Sequence, residues 1–136
     1  MSARSVLLLV VALLTLTGCP VKQNALLLED TLSSYAAAIR WGHMEDALGF
    51  VDPETLKKHP VTALDLARYQ QVQITVYSDA GPVHINDNEV SQIVEIGLVN
   101  INTQAARSIV DKQLWRYDAK TNHWWLVSGL PDITVH

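Results

Sequence analysis

Glu89-Val90-Ser91-Gln92-Ile93-Val94-Glu95-Ile96-Gly97-Leu98-Val99-Asn100-Ile101 is the stretch that decides the fold. It is rich in β-branched residues, contains no proline and is long for a strand. Ile93, Val94, Ile96, Leu98 and Val99 put apolar side chains on both phases of the two-residue repeat, so the spacing predicts a central strand covered on both sides. On its C-terminal side, Asn102-Thr103 reads as a turn into a second long strand, Gln104 to Tyr117. Asp118 to Asn122 is polar hairpin material, and His123 to Ser128 closes the sheet. On its N-terminal side, Val72, Ile74 and Val76 alternate with Gln73, Thr75 and Tyr77, which predicts a strand burying the three aliphatic residues. Asp79-Ala80-Gly81-Pro82 is a turn, and Val83 to Ile85 makes a short strand before the Asn86-Asp87-Asn88 turn.

Upstream the period changes to that of a helix. Leu28, Leu32, Tyr35, Ala36 and Ile39 form one apolar stripe, with Asn24 as the expected N-cap and Trp41-Gly42 as the end. Met44, Ala47, Leu48 and Val51 predict a second helix from His43 to Val51. Asp52-Pro53 stops it and starts one more turn, and Thr62-x-x-Asp65 resembles a capping box for a short helix to Arg68. Helices followed by long antiparallel strands give an α+β class, with N-terminal helices packed on a curved, cone-shaped antiparallel sheet.

The order of elements, together with Tyr35-Ala36-Ala37-Ala38-Ile39-Arg40-Trp41-Gly42, Leu114-Trp115-Arg116-Tyr117 and Trp124-Trp125-Leu126, resembles the nuclear transport factor 2-like superfamily, also called ketosteroid-isomerase-like or cystatin-like. The resemblance covers about Leu26 to Ser128. It implies a hollow between helices and sheet, and either isomerase or dehydratase chemistry from an Asp, Tyr or His within it, or no catalysis at all. Many members of the superfamily pair through their sheets.

The chain opens with Met1-Ser2-Ala3-Arg4, an apolar run from Val6 to Leu16, then Leu16-Thr17-Gly18-Cys19. The apolar run is too short to span a bilayer, and the layout is that of an export signal. Its last four residues resemble the lipobox of bacterial lipoproteins. That resemblance implies cleavage after Gly18 and acylation of Cys19, with attachment to the inner or outer membrane through acyl chains and a domain in the periplasm. The expected organisation is a signal peptide over 1–18, a lipidated cysteine and tether over 19–24, and one α+β domain over 25–136.

Removing residues 1–18 leaves 118 residues with a formal charge of −5, because only Arg4 among the charged residues is lost. That is one domain. The acidic balance argues against nucleic acid as a partner, and an acylated sole cysteine excludes an internal disulfide. Five histidines show no metal-ligand spacing, and no phosphate loop or nucleophile elbow is present, so no cofactor or metal is expected.

Individual residues carry the functional expectations. Glu95 sits in an apolar run where an unpaired carboxylate is costly. With Asn102-Thr103 at the centre of the turn it faces Val110, and a one-residue change sets it against Asp111. It is either an outer-face carboxylate paired with Lys112 or Arg116, or a desolvated acid in the hollow, where Asp111 is the alternative base. Tyr35, Trp41 and Trp115 are core or pocket aromatics. Adjacent Trp124 and Trp125 must point to opposite faces, which nominates one of them for an interaction face with an envelope partner or a second copy. The leading expectation is a non-catalytic binding or assembly module on the membrane, with a small-molecule isomerase, dehydratase or ligand-binding protein as the alternative.

Overall fold

A computed structural model describes residues 20–135; the expected signal segment and Cys19 lie outside the described residues. Helix α1, Pro20–Trp41, starts on a proline, which suits a first helical turn because its missing N–H has no partner there anyway. The helix therefore begins before the expected cap, and Asn24 lies inside it, where its carbonyl accepts the Trp124 indole N–H at 3.1 Å. Leu28, Tyr35 and Ile39 form its buried stripe.

The second helix is shorter than expected. α2, Met44–Ala47, tightens into a 3-10 turn over Leu48–Phe50, and Val51 is extended and bridges Leu126. Gly49 is a poor helix former, and pairing with the sheet demands an extended residue at Val51. α3, Pro53–Lys58, is capped by Asp52, whose carboxylate accepts the Thr55 N–H at 3.0 Å. α4, Ala63–Tyr69, carries the expected capping box, with Thr62 and Asp65 bonding each other's backbone N–H groups at 3.0 and 3.2 Å.

Five strands follow: β1 Val72–Asp79, β2 Val83–Asn86, β3 Glu89–Asn100, β4 Ala106–Asp118 and β5 His123–Leu126. The sheet order is β1-β3-β4-β5, and β2 continues along the same edge of β3 beyond the end of β1. The sheet is antiparallel and curls into a half-barrel with the helices in its concavity, an α+β fold. β3 and β4 pair from Glu89↔Arg116 to Val99↔Ala106, so Asn102 and Thr103 do sit at the centre of the turn and Glu95 faces Val110.

Two strand expectations are corrected. β3 is covered on one face only: Val90, Gln92, Val94, Ile96 and Leu98 point inward, while Ile93 is 55% exposed and Glu95 is also exposed. The described helices pack on the concave side of the sheet, so ordinary alternation prevails over local hydrophobicity. In β1, the register shifts between Ile74 and Val76, leaving Thr75 as an extra residue. This bulge reverses the phase, turning Val76 outward and Tyr77 inward.

Two apolar clusters fill the concavity. Tyr35, Ile39, Ala47, Val51, Val90 and Trp115 anchor the first, and Val94, Ile96, Leu98, Ile109 and Ile133 form the second. Ile133 comes from the C-terminal segment, which the Tyr69 hydroxyl holds by donating to the Pro131 carbonyl at 2.6 Å. Arg107 donates to the carbonyls of Ile133 and Val135.

Gly97 lies opposite the bulge, where a methyl group would meet the Val76 Cβ at 3.0 Å and the Thr75 Oγ1 at 3.1 Å. Gly97→Ala should therefore destabilise the fold by about 1–3 kcal/mol, the usual cost of overpacking, read as a lower urea midpoint. An unchanged midpoint would show that the bulge can move aside freely.

Candidate functional site

The antiparallel register of β3 and β4 sets Gln92 opposite Gln113 and Val94 opposite Asp111, with all four side chains in the concavity. The β1 bulge adds Tyr77 on the same side. The Gln113 amide nitrogen donates to Asp111 Oδ2 at 2.8 Å and to the Tyr77 hydroxyl oxygen at 3.1 Å. Its carbonyl oxygen accepts the Trp115 indole N–H at 3.1 Å. From α1, Tyr35 meets Trp115 edge-on at 5.2 Å and Phe50 at 5.6 Å.

Two buried polar atoms beside this array have no protein hydrogen-bond partner: the Tyr35 hydroxyl and Gln92 Oε1. Such atoms are uncommon in folded interiors and costly, and of the two residues only Gln92 lines a hollow. Burial pushes the Tyr35 hydroxyl well above its usual range, with the charge of Asp111 adding to it. Burial likewise raises Tyr77 to about 12, against the hydrogen bond from Gln113. Both phenols are therefore protonated donors at neutral pH.

A hollow of about 550 Å3 adjoins the array, between α1 and the place where β1 gives way to β2. Leu28, Leu32 and Ala36 form its helical wall, and Tyr77, Pro82 and Gln92 its sheet side. Its size is that of a small-molecule site. A second hollow of about 570 Å3, between α3, α4 and the C-terminal segment, is different in kind. Several of its polar side chains bond within the fold: Asp65 to Thr62, Tyr69 to Pro131 and Asp132 to Thr134.

Of the residues nominated from sequence, Tyr35, Asp111 and Trp115 come together in the buried array around Gln113, and none of them lines the hollow beside α1. Glu95 lies on the outer face opposite Val110 and makes no ion pair among the described residues; Arg116 pairs with Glu89 at 3.1 Å instead. Trp41 lies away from the hollow, 78% exposed, with the Arg40 guanidinium 4.8 Å from its ring centre. Trp124 is buried in the first cluster. Trp125 takes the opposite face, half-buried, with its ring 4.0 Å from that of His123.

Sequence reasoning missed Tyr77, Gln92 and Gln113. Gln92 and Gln113 were visible as polar residues in the buried phase of their strands, whereas the bulge concealed Tyr77. Among the described residues, no three His, Cys, Asp or Glu side chains gather to hold a metal, and no helix is long and apolar enough to cross a membrane. The sequence matches no family model, and no curated protein shows significant similarity to it.

Burial raises the Asp111 carboxyl above the ordinary aspartate range, against the hydrogen bond from Gln113. An acid with a higher pKa folded than unfolded keeps its proton longer in the native state. Stability thus falls as pH rises from the unfolded value, about 3.9, through the folded one. Asp111→Asn keeps an acceptor for Gln113 and removes the buried charge. Its urea midpoint should exceed that of the wild type at neutral pH and converge with it in acid. A lower midpoint at neutral pH would show that the ionised carboxylate is worth more than its desolvation costs.

Proposed function

We propose that this chain is a lipid-anchored protein of the bacterial cell envelope whose domain, of the nuclear transport factor 2-like kind, binds a small molecule in the hollow beside α1 without transforming it. The observation that carries the binding is the hollow of about 550 Å3 itself, walled by the apolar side of α1 and with the Gln92 amide at its sheet side. Tyr77 stands beside it with its hydroxyl proton unassigned to any protein acceptor among the described residues, because that oxygen only accepts from Gln113. The hollow thus sets Tyr77, Gln92, Ser33, His84 and the carboxylates of Glu29 and Asp79 around an apolar strip of Leu28, Leu32, Ala36 and Pro82, an arrangement able to orient a small ligand. The superfamily assignment is supported by the curled sheet enclosing α1, together with the sequence segments that suggest it.

Attachment rests on the lipobox-like Leu16-Thr17-Gly18-Cys19. Helix α1 begins one residue after Cys19 and its 22 residues extend for about 33 Å. The hollow's helical wall belongs to this rod, which follows the expected anchor directly in sequence. Cys19→Ser should leave the precursor unprocessed and unacylated; recovery of a normally lipidated protein from this variant would refute the anchor.

Binding is tested with the full-length chain in lipid nanodiscs, by saturation-transfer NMR against a mixture of small aromatic compounds, with empty nanodiscs as the blank. Transfer is expected for the wild type and should vanish in Ala36→Trp, which fills the hollow from its half-buried helical wall. No transfer to any compound, or transfer unchanged in Ala36→Trp, would remove the proposal.

A second reading, an isomerase or dehydratase with Asp111 as base, is favoured by the raised carboxyl of Asp111 near two protonated phenols. Against it, one Asp111 oxygen is engaged by Gln113, and Asp111 is not among the residues lining the hollow. Turnover of a bound compound that Asp111→Asn abolishes, with binding retained, would favour this reading over simple binding.

A further inference from the structure

On the margin of the sheet away from the hollow, β5 pairs with β4 only from Trp115 to Asp118. Just beyond that ladder both main-chain groups of Leu114 are taken. Its N–H donates to Ser128 Oγ at 3.1 Å, and its carbonyl accepts the Val127 N–H at 2.9 Å. Leu114 thus points its peptide groups away from β3. The two-residue repeat, unbroken in the β3–β4 register, points those of Ala106, Ser108, Val110 and Lys112 the same way. None of these four has a main-chain partner on that side among the described residues, and all four are exposed. The C-terminal segment passes on the concave side, where Ile133 packs with Ile109 and Arg107 donates to the Ile133 and Val135 carbonyls. It bonds to none of the four residues' peptide groups.

We propose that this edge pairs with the same edge of a second copy, antiparallel about a two-fold axis at Ile109, so that two sheets become one. The register follows from which groups are free and which are taken. With Ile109 opposite its own counterpart, Ser108 faces the partner's Val110 and Ala106 faces the partner's Lys112. Each of the four residues then gives one hydrogen bond and takes one, and no group on the edge is left over. An axis at Val110 would set the partner's Ala106 against Leu114, whose groups are engaged. An axis at Ser108 would leave Lys112 facing the turn at Gln104. The favoured register also sets Arg107 opposite the partner's Asp111, twice over, at the non-hydrogen-bonded positions where side chains come closest. Asp111 is buried, and neither it nor Arg107 has an ion pair among the described residues. A second copy therefore brings the positive charge this carboxylate lacks, which a strand of unrelated sequence would not.

The test uses two single variants of the full-length chain in mild detergent, Ser108→Cys and Val110→Cys, oxidised separately and as a mixture, with the wild type as the blank. Directly opposed residues of a hydrogen-bonded pair have Cα atoms about 5.5 Å apart, within reach of a disulfide. The mixture should give a covalent dimer holding one chain of each kind, and neither variant alone should exceed the blank. A dimer from Val110→Cys alone, or from Ser108→Cys alone, would overturn the register, and no cross-link in any sample would overturn the pairing. Without cross-linking, Val110→Pro removes a donor that faces away from β3 and so spares the internal ladder. It should keep the wild-type near-ultraviolet circular dichroism and sediment as a monomer where the wild type sediments as a dimer. A folded Val110→Pro chain as dimeric as the wild type would overturn the proposal. The hollow beside α1 lies at the other margin, so its binding stands or falls separately.

Discussion

The amide of Gln113 is the group on which the interior depends. It lies 2% exposed at the centre of the concave face, and all its hydrogen-bonding capacity bar one oxygen lone pair is used by three residues. Asp111 is held from below, Tyr77 from the neighbouring side of the sheet and Trp115 from above. A buried polar group is tolerated only when its partners are all in place, and its removal leaves several others unsatisfied at once. The array therefore acts as a register pin. A one-residue slip of β4 would carry Gln113 to the outer face, leaving Asp111, Tyr77 and the Trp115 indole without it.

Around this pin, the hollow arises from two local departures from ideal structure. The bulge in β1 brings Tyr77 into the concavity, and the Asp79–Pro82 break separates β1 from β2, opening the edge of the sheet toward α1. The apolar stripe of α1 is also broader than the sheet covers. Leu28, Tyr35 and Ile39 face the core, while Leu32 and Ala36, slightly round the helix, are left half-covered and become a wall. The cavity is thus what remains when a wide helical stripe meets a narrow, broken sheet edge.

Much of this was legible in the sequence. The stripe of α1, the Asp52 and Thr62 caps and the Asn102-Thr103 turn depend on neighbours close in the chain, and the structure places them where the pattern does. Glu95 follows from the turn, since its centre sets the β3–β4 register. What was not legible depends on partners distant in sequence. Ile93 points outward because the described helices cover only the other face of the sheet, which its apolar neighbours do not reveal. The inward turn of Tyr77 depends on one extra residue in β1, and strict alternation predicts the opposite. The exposure of Trp41 follows from where α2 departs after Gly42, again a tertiary matter. Gln92 and Gln113 stood in plain view as amides in a buried phase, but a lone amide in a strand does not announce the network it joins.

The same broken edge has another consequence. An uninterrupted outer strand offers a row of unpaired N–H and C=O groups onto which a second chain can dock, the usual start of cross-β aggregation. Here β1 and β2 share that edge, each ending at a bend around Gly81 and Pro82, and Pro82 has no N–H to give. At the opposite side, β5 is only four residues long and Leu126 is already bridged by Val51. The β1–β2 margin is therefore no single flat template, whereas on the far side residues 106–113 of β4 pair with no strand among the described residues, so that stretch is where a second chain could add.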